Sequence, residues 1–195
     1  HNNPNLLRAI AAEGNEIGSH TNGHKPMTIQ DEKGRQIPVQ NPEEYDEDVR
    51  SSYEKLAATV GDMKLPSGRY ALTRLLRPPT LAVSRMGAAA ILNNGFTYLV
   101  NGSGSTEDYN AVSMESLVGI LHNLTHEEDG TVKRGAILVM HMSSTATRTA
   151  VALDMLLTAN DALPEGHPGK FKVGLLGDYL TGDYDQTMKQ VQPIK

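Results

Sequence analysis

The sequence contains no cysteine, which excludes disulfides, thiolate metal sites and a cysteine nucleophile. Any metal centre must then be built from His, Asp and Glu, a donor set that suits zinc or harder divalent ions. A basic excess is missing too: 18 Lys and Arg stand against 23 Asp and Glu, for a formal charge of −5. That balance speaks against nucleic acid or an anionic membrane as partner, since both want a basic face. No apolar run reaches the roughly 18 residues of a membrane span, and the polar stretch opening at His1 shows no signal-peptide pattern. Low-complexity tracts, clear repeats and a strong linker are also lacking, so residues 1–195 read as a single domain. What is present is 195 residues with 38% hydrophobic and 21% charged content, enough for a soluble globular domain with a sizeable core.

Helix and strand signals alternate along the chain. Residues 4–13 predict a helix, with Leu6, Leu7 and Ile10 at helical spacing and Gly14 as its stop. Residues 16–19 predict a short strand that runs into a loop, 20–27. Residues 27–41 read as an irregular polar insertion. Pro42 opens a second helix that runs to about Val60 and closes at Gly61. An apolar stretch then ends at Arg77-Pro78-Pro79. Further on, the pattern predicts helices over 84–94, 113–125 and 145–163. It predicts strands over 96–100, 136–142 and 171–176, and a short helix near 178–180. Helices between short apolar strands imply an α/β fold with parallel strands, as a barrel or an open sheet.

The strongest local signal is Ser19-His20-Thr21-Asn22-Gly23-His24. Two histidines four apart bind one metal if the backbone brings their rings together. Asn22-Gly23 argues against a regular helix, so a loop must do this; the alternative is two exposed loop histidines. His122 and His126 share the spacing at the end of a predicted helix, before Glu127-Glu128-Asp129, and read as a solvated helix end. Spacing alone does not choose between the pairs. His141 ends an apolar strand, where α/β folds gather catalytic groups; it reads as a general acid or base or as a core histidine. Arg77 before two prolines reads as a carboxylate clamp or a surface arginine. Asp108 reads as a carboxylate that orients a histidine or as a loop acid.

Taken together and in this order, these segments resemble the polysaccharide deacetylase family, carbohydrate esterase family four. The family's His-Ser/Thr-x-x-His motif is met by His20-Thr21-Asn22-Gly23-His24, and residues 4–19 resemble its lead-in. Its Arg-x-Pro-aromatic motif is met by Arg77-Pro78-Pro79, with Thr80 in the aromatic position. Asp108-Tyr109 matches the family's Asp-Trp element loosely, and Val139-Met140-His141 matches its Leu-x-His. The resemblance covers about residues 4–180.

The resemblance implies a distorted (β/α) barrel of parallel strands, incomplete at its N-terminal strands. It implies a metal-dependent hydrolase removing N-acetyl groups from an acetylated polysaccharide such as peptidoglycan or chitin, in the cell envelope or outside the cell. His20 and His24 would bind one divalent ion, zinc first, with cobalt or manganese as alternatives. A water activated by that ion would attack the acetyl carbonyl. His141, held by Asp108, would protonate the leaving amine. Arg77 would hold the catalytic base, Thr80 would offer its N–H to the oxyanion beside Pro79, and Val139 would line the acetyl-methyl pocket. The family's Thr-Phe-Asp-Asp motif, which supplies the base and a third ligand, has no counterpart here. The chain is therefore expected to be an N-terminally truncated catalytic domain, inactive or nearly so by itself, with exposed strand edges that invite a second copy. A non-catalytic metal- or sugar-binding relative and an O-acetyl esterase acting on xylan stand as alternative readings.

Overall fold

The computed structural model of the chain describes residues 3–180. They form two compact units. One comprises residues up to Val100 together with those from Gly174 onward; the other is Asn101–Val173.

The first unit opens with helix α1, Pro4–Ala12, whose start is fixed by Pro4 and by the Asn3 side chain accepting the N–H of Leu6. Strand β1, Ile17–Ser19, follows. Helix α2, Pro42–Val60, begins with a capping box in which Asn41 and Glu44 each bond the other's backbone N–H. Strand β4, Leu72–Leu76, lies between β1 and β5, Tyr98–Leu99, in a three-stranded parallel sheet. All five residues of β4 are buried, as expected of a parallel strand covered on both faces. Two of them are polar and are satisfied inside. Thr73 donates to the carbonyl of Ile17, and the Arg74 guanidinium lies over the Tyr53 ring at 4.3 Å. Tyr45, Val49, Tyr53 and Val60 form the inner stripe of α2. They meet Leu72, Leu76, Phe96 and Ile91, the last on helix α3, Arg85–Asn93. The segment from Gly174 is tied to the start of β1: Glu16 accepts the N–H of Gly177, and Arg69 bridges Glu16 and Asp178.

Residues 27–41 are a structured hairpin rather than an irregular insertion. Strands β2, Thr28–Gln30, and β3, Gln36–Pro38, pair antiparallel. The Asp31 carboxylate closes the turn by accepting the N–H groups of Lys33 and Arg35, with Gly34 at φ +73°.

The second unit holds a short parallel pair, β6, Gly104–Ser105, and β7, Leu138–Val139. It also holds two packed helices, α4, Met114–Thr125, and α5, Thr149–Asp161. Leu117 and Leu121 of α4 bury against Ala152 and Leu156 of α5. The apolar run 136–142 forms a ladder at only two residues. The last helix starts four residues later than its pattern predicts, because 143–148 turn before it. Residues 171–176 form no strand, and a single turn of 3-10 helix, Leu176–Asp178, takes the place of the short helix expected near 178–180.

The fold is thus α/β with parallel strands, as its pattern implies. Among the described residues, the strands make sheets of three and two and the hairpin, and none closes into a barrel. Leu76 is fully buried at the centre of the first unit. Leu76→Ala should cost about 2–5 kcal/mol in urea unfolding; a loss under about 1 kcal/mol would contradict this packing.

Candidate functional site

Each unit carries one cluster of chemical groups. In the first, the β1–β4 pairing sets Ser19 beside Leu76, so the segments leaving the two strands run side by side. Arg77 N–H donates to the carbonyl of Ser19 at 3.0 Å, and His20 Nδ1 donates to the carbonyl of Arg77 at 2.6 Å. A neutral His20 with its proton on Nδ1 carries its lone pair on Nε2, the arrangement found in histidines that ligate metals. The His24 ring lies with its centroid 4.8 Å from that of His20, inclined at 76°. Zinc–nitrogen distances of about 2.1 Å and a tetrahedral angle put two coordinated imidazole centroids about 5 Å apart. The pair therefore fits two ligand positions of one ion. No group of three or more His, Asp or Glu suited to a metal occurs among the described residues.

The backbone holding these rings is strained. Thr21 and His24 have left-handed φ of 60° and 54°, and His24 N–H bonds Thr21 Oγ1 at 3.2 Å. The other non-glycine residues with such φ among those described are Thr80, Leu81 and Glu107. All five lie in or beside the segments singled out by sequence. Each costs about 1–3 kcal/mol, and such strain concentrates at functional sites.

Arg77 follows β4. Burial pushes its pKa down from the usual arginine value, and its guanidinium has no carboxylate partner among the described residues. Pro79 is buried. Thr80 is exposed, its hydroxyl donating to the carbonyl of Pro79 at 2.7 Å.

In the second unit, Asp108 and His141 come together. The carboxylate of Asp108 is inaccessible to solvent, while the His141 side chain is 30% exposed. Asp108 Oδ1 accepts from His141 Nδ1, and Oδ2 accepts from the backbone N–H of His141 and from the Thr149 hydroxyl, all at 2.7 Å. Burial alone would push the carboxyl upward. The bonds from the His141 ring, Thr149 and the His141 N–H outweigh it and hold Asp108 below the usual carboxylate range. Tyr109 meets the His141 ring edge to face at 5.1 Å. Val139 is buried, its side chain turned to Gly102.

The second histidine pair behaves differently. His122 and His126 stack nearly parallel, 10° apart, with centroids at 4.3 Å. His126 is buried rather than solvated, its Nδ1 against Thr125 Oγ1 and its Nε2 donating to the carbonyl of Gly169. Both ring nitrogens are committed, so this pair holds structure.

Two contributors escape the sequence reading. Thr149 reaches Asp108 from 41 residues away. Asp48 on α2 accepts the N–H of Gly23, inside the histidine loop, at 2.6 Å. Neither belongs to a local motif.

No curated protein matches the chain. The family described as polysaccharide deacetylase matches residues 1–99. Among solved structures, the Xyl-CE4 domain of a multidomain xylanase from the hindgut metagenome of Trinervitermes trinervoides is similar at 16% identity and TM-score 0.63, over all of this chain and 74% of that one. The Bc1960 peptidoglycan N-acetylglucosamine deacetylase is similar at 20% identity and TM-score 0.59, over 80% of this chain and 62% of that one. BA3943 of Bacillus anthracis, a pseudoenzyme of carbohydrate esterase family four, is similar at 18% identity and TM-score 0.59, over 80% of this chain and 45% of that one. At these identities the likeness shows the fold alone. This chain spans less than two thirds of the length of the Bc1960 and BA3943 chains.

Asp108 makes a prediction about pH. Its folded pKa lies below the ordinary 3.8, so its bonds stabilise the fold fully above that value, and the contribution is lost as pH falls through the folded pKa. Thr149→Val removes one of the three bonds. It should cost about 1.5–3 kcal/mol in urea unfolding near neutral pH, and the gap to the parent should narrow below about pH 4. A gap that stays constant into acid would contradict the assignment.

Proposed function

The chain belongs to the polysaccharide deacetylase family, and from that premise we propose that the protein is a metal-dependent hydrolase removing N-acetyl groups from an acetylated polysaccharide of the peptidoglycan or chitin type. The observation that carries the reading is the His20–His24 ring pair, at the spacing two ligands of one ion require, with His20 Nδ1 bound to a carbonyl.

His20 and His24 would hold one divalent ion, zinc before cobalt or manganese, and that ion would polarise the acetyl carbonyl and activate the attacking water. The remaining roles belong to this chain's own groups. His141 keeps Nδ1–H on Asp108, so Nε2 is the atom from which a proton passes to the departing amine. Before that transfer the Asp108 carboxylate stabilises the charged ring, which becomes neutral as the proton leaves, and it keeps the ring's orientation. The Arg77 guanidinium is suited to orienting a carboxylate base. The Thr80 N–H is the donor assigned to the developing oxyanion, with Pro79 and Val139 as apolar contacts of the substrate. Action in the cell envelope or outside the cell, where such polymers lie, is part of the proposal. Among the described residues, no helix is long and apolar enough to cross a membrane. Pairing with a second copy has no observation in its favour.

One residue favours a second reading, a relative that binds sugar without hydrolysing it. Thr80 is exposed where the family motif has an aromatic, so this segment departs from the motif of the hydrolases.

Acetate release from N-acetylated chitooligosaccharides and peptidoglycan by the whole protein separates the two. The proposal predicts release that stops with a chelator and returns with zinc, and that falls about 10²–10⁴-fold in His141→Ala. Sugar binding without release, or release indifferent to chelator, would contradict it.

A further inference from the structure

We infer that Asp48 is a positioning residue for the metal-binding loop, setting His24 opposite His20 by holding the N–H of Gly23; the inference rests on the metal reading above. Helix α2 grips the loop at three points. Asp48 Oδ1 accepts the Gly23 N–H at 2.6 Å, the Asp48 carbonyl accepts the Asn22 N–H at 3.2 Å, and Lys55 Nζ donates to Asn22 Oδ1 at 2.7 Å. Asn22 and Gly23 are the two residues between Thr21 and His24, both of which are left-handed. The contacts therefore fall on the part of the loop where local preference opposes the conformation needed.

The approach is close. A Cβ at position 23 would stand 3.1 Å from Asp48 Oδ1, tighter than ordinary van der Waals contact, so any larger residue there would push the carboxylate back by a few tenths of an ångström. The other oxygen, Oδ2, is buried with no hydrogen-bond partner. A bare carboxylate oxygen away from water is costly. The carboxylate contributes a short, charge-assisted bond to the peptide next to His24. Groups that orient metal-ligating histidines from behind typically change affinity about 10–100-fold when removed.

The test is a double-mutant cycle read by calorimetric zinc titration of the whole protein. Asp48→Ala should weaken zinc binding about 10–100-fold. In a His24→Ala background the same change should do nothing further, because Asp48 acts through His24. Asp48→Asn, which keeps an acceptor for Gly23, should retain most of the affinity. Gly23→Ala attacks the same contact from the loop side and leaves α2 intact, so it should weaken binding even if Asp48→Ala fails to fold. Additive losses for Asp48→Ala and His24→Ala would overturn the inference, as would Asp48→Asn binding no better than Asp48→Ala. Zinc binding undiminished in a double variant carrying both His20→Ala and His24→Ala would overturn the metal reading itself, and this inference with it.

Discussion

The hydrogen bond from His20 Nδ1 to the carbonyl of Arg77 joins the two segments on which the first unit's chemistry depends. It exists because β1 and β4 pair in parallel with Ser19 beside Leu76, so residues 57 positions apart leave the sheet together. The bond settles which nitrogen of His20 carries its lone pair. It also fixes where Arg77, Pro79 and Thr80 begin. The buried packing of Leu72, Leu76 and Val49 holds the strands from which these segments leave. The strain at Thr21 and His24 is tolerable because α2 holds Asn22 and Gly23 between them.

The second unit solves a parallel problem with a carboxylate. An unaccompanied buried Asp would be neutral. Asp108 is held ionised by three donors, two of them from His141 itself. A ring with Nδ1–H fixed on a charged acceptor has one direction in which to exchange a proton, through Nε2. The same spacing of histidines elsewhere in that unit produces the opposite outcome. His126 has both nitrogens bonded inside the fold and its ring stacked on His122. Chemistry follows from what each nitrogen touches, and an i, i+4 spacing does not specify that.

This distinction explains how much was legible beforehand. His20, His24, Asp108 and His141 stand in short motifs, and the motifs name them. The starts of α2 and α4 were readable because their caps are local, Asn41 with Glu44 and Ser113; α5 has no side-chain cap, and its start was not. Strand extent was not, since an apolar run such as 136–142 says what is buried but not which residues find a ladder partner. The β2–β3 hairpin left a signal in Asp31 and Gly34 between Ile29 and Ile37, but its strands are largely exposed and so lack a buried alternation. Thr149 and Asp48 act across 41 and 25 residues. Only the folded chain brings them to Asp108 and Gly23.

The most direct test of the account is X-ray absorption at the zinc edge on the zinc-loaded protein, compared with its His24→Ala variant. The account predicts two imidazole ligands at about 2.0–2.1 Å in the parent and one in the variant. A parent spectrum without imidazole scattering, or one unchanged in the variant, would contradict it.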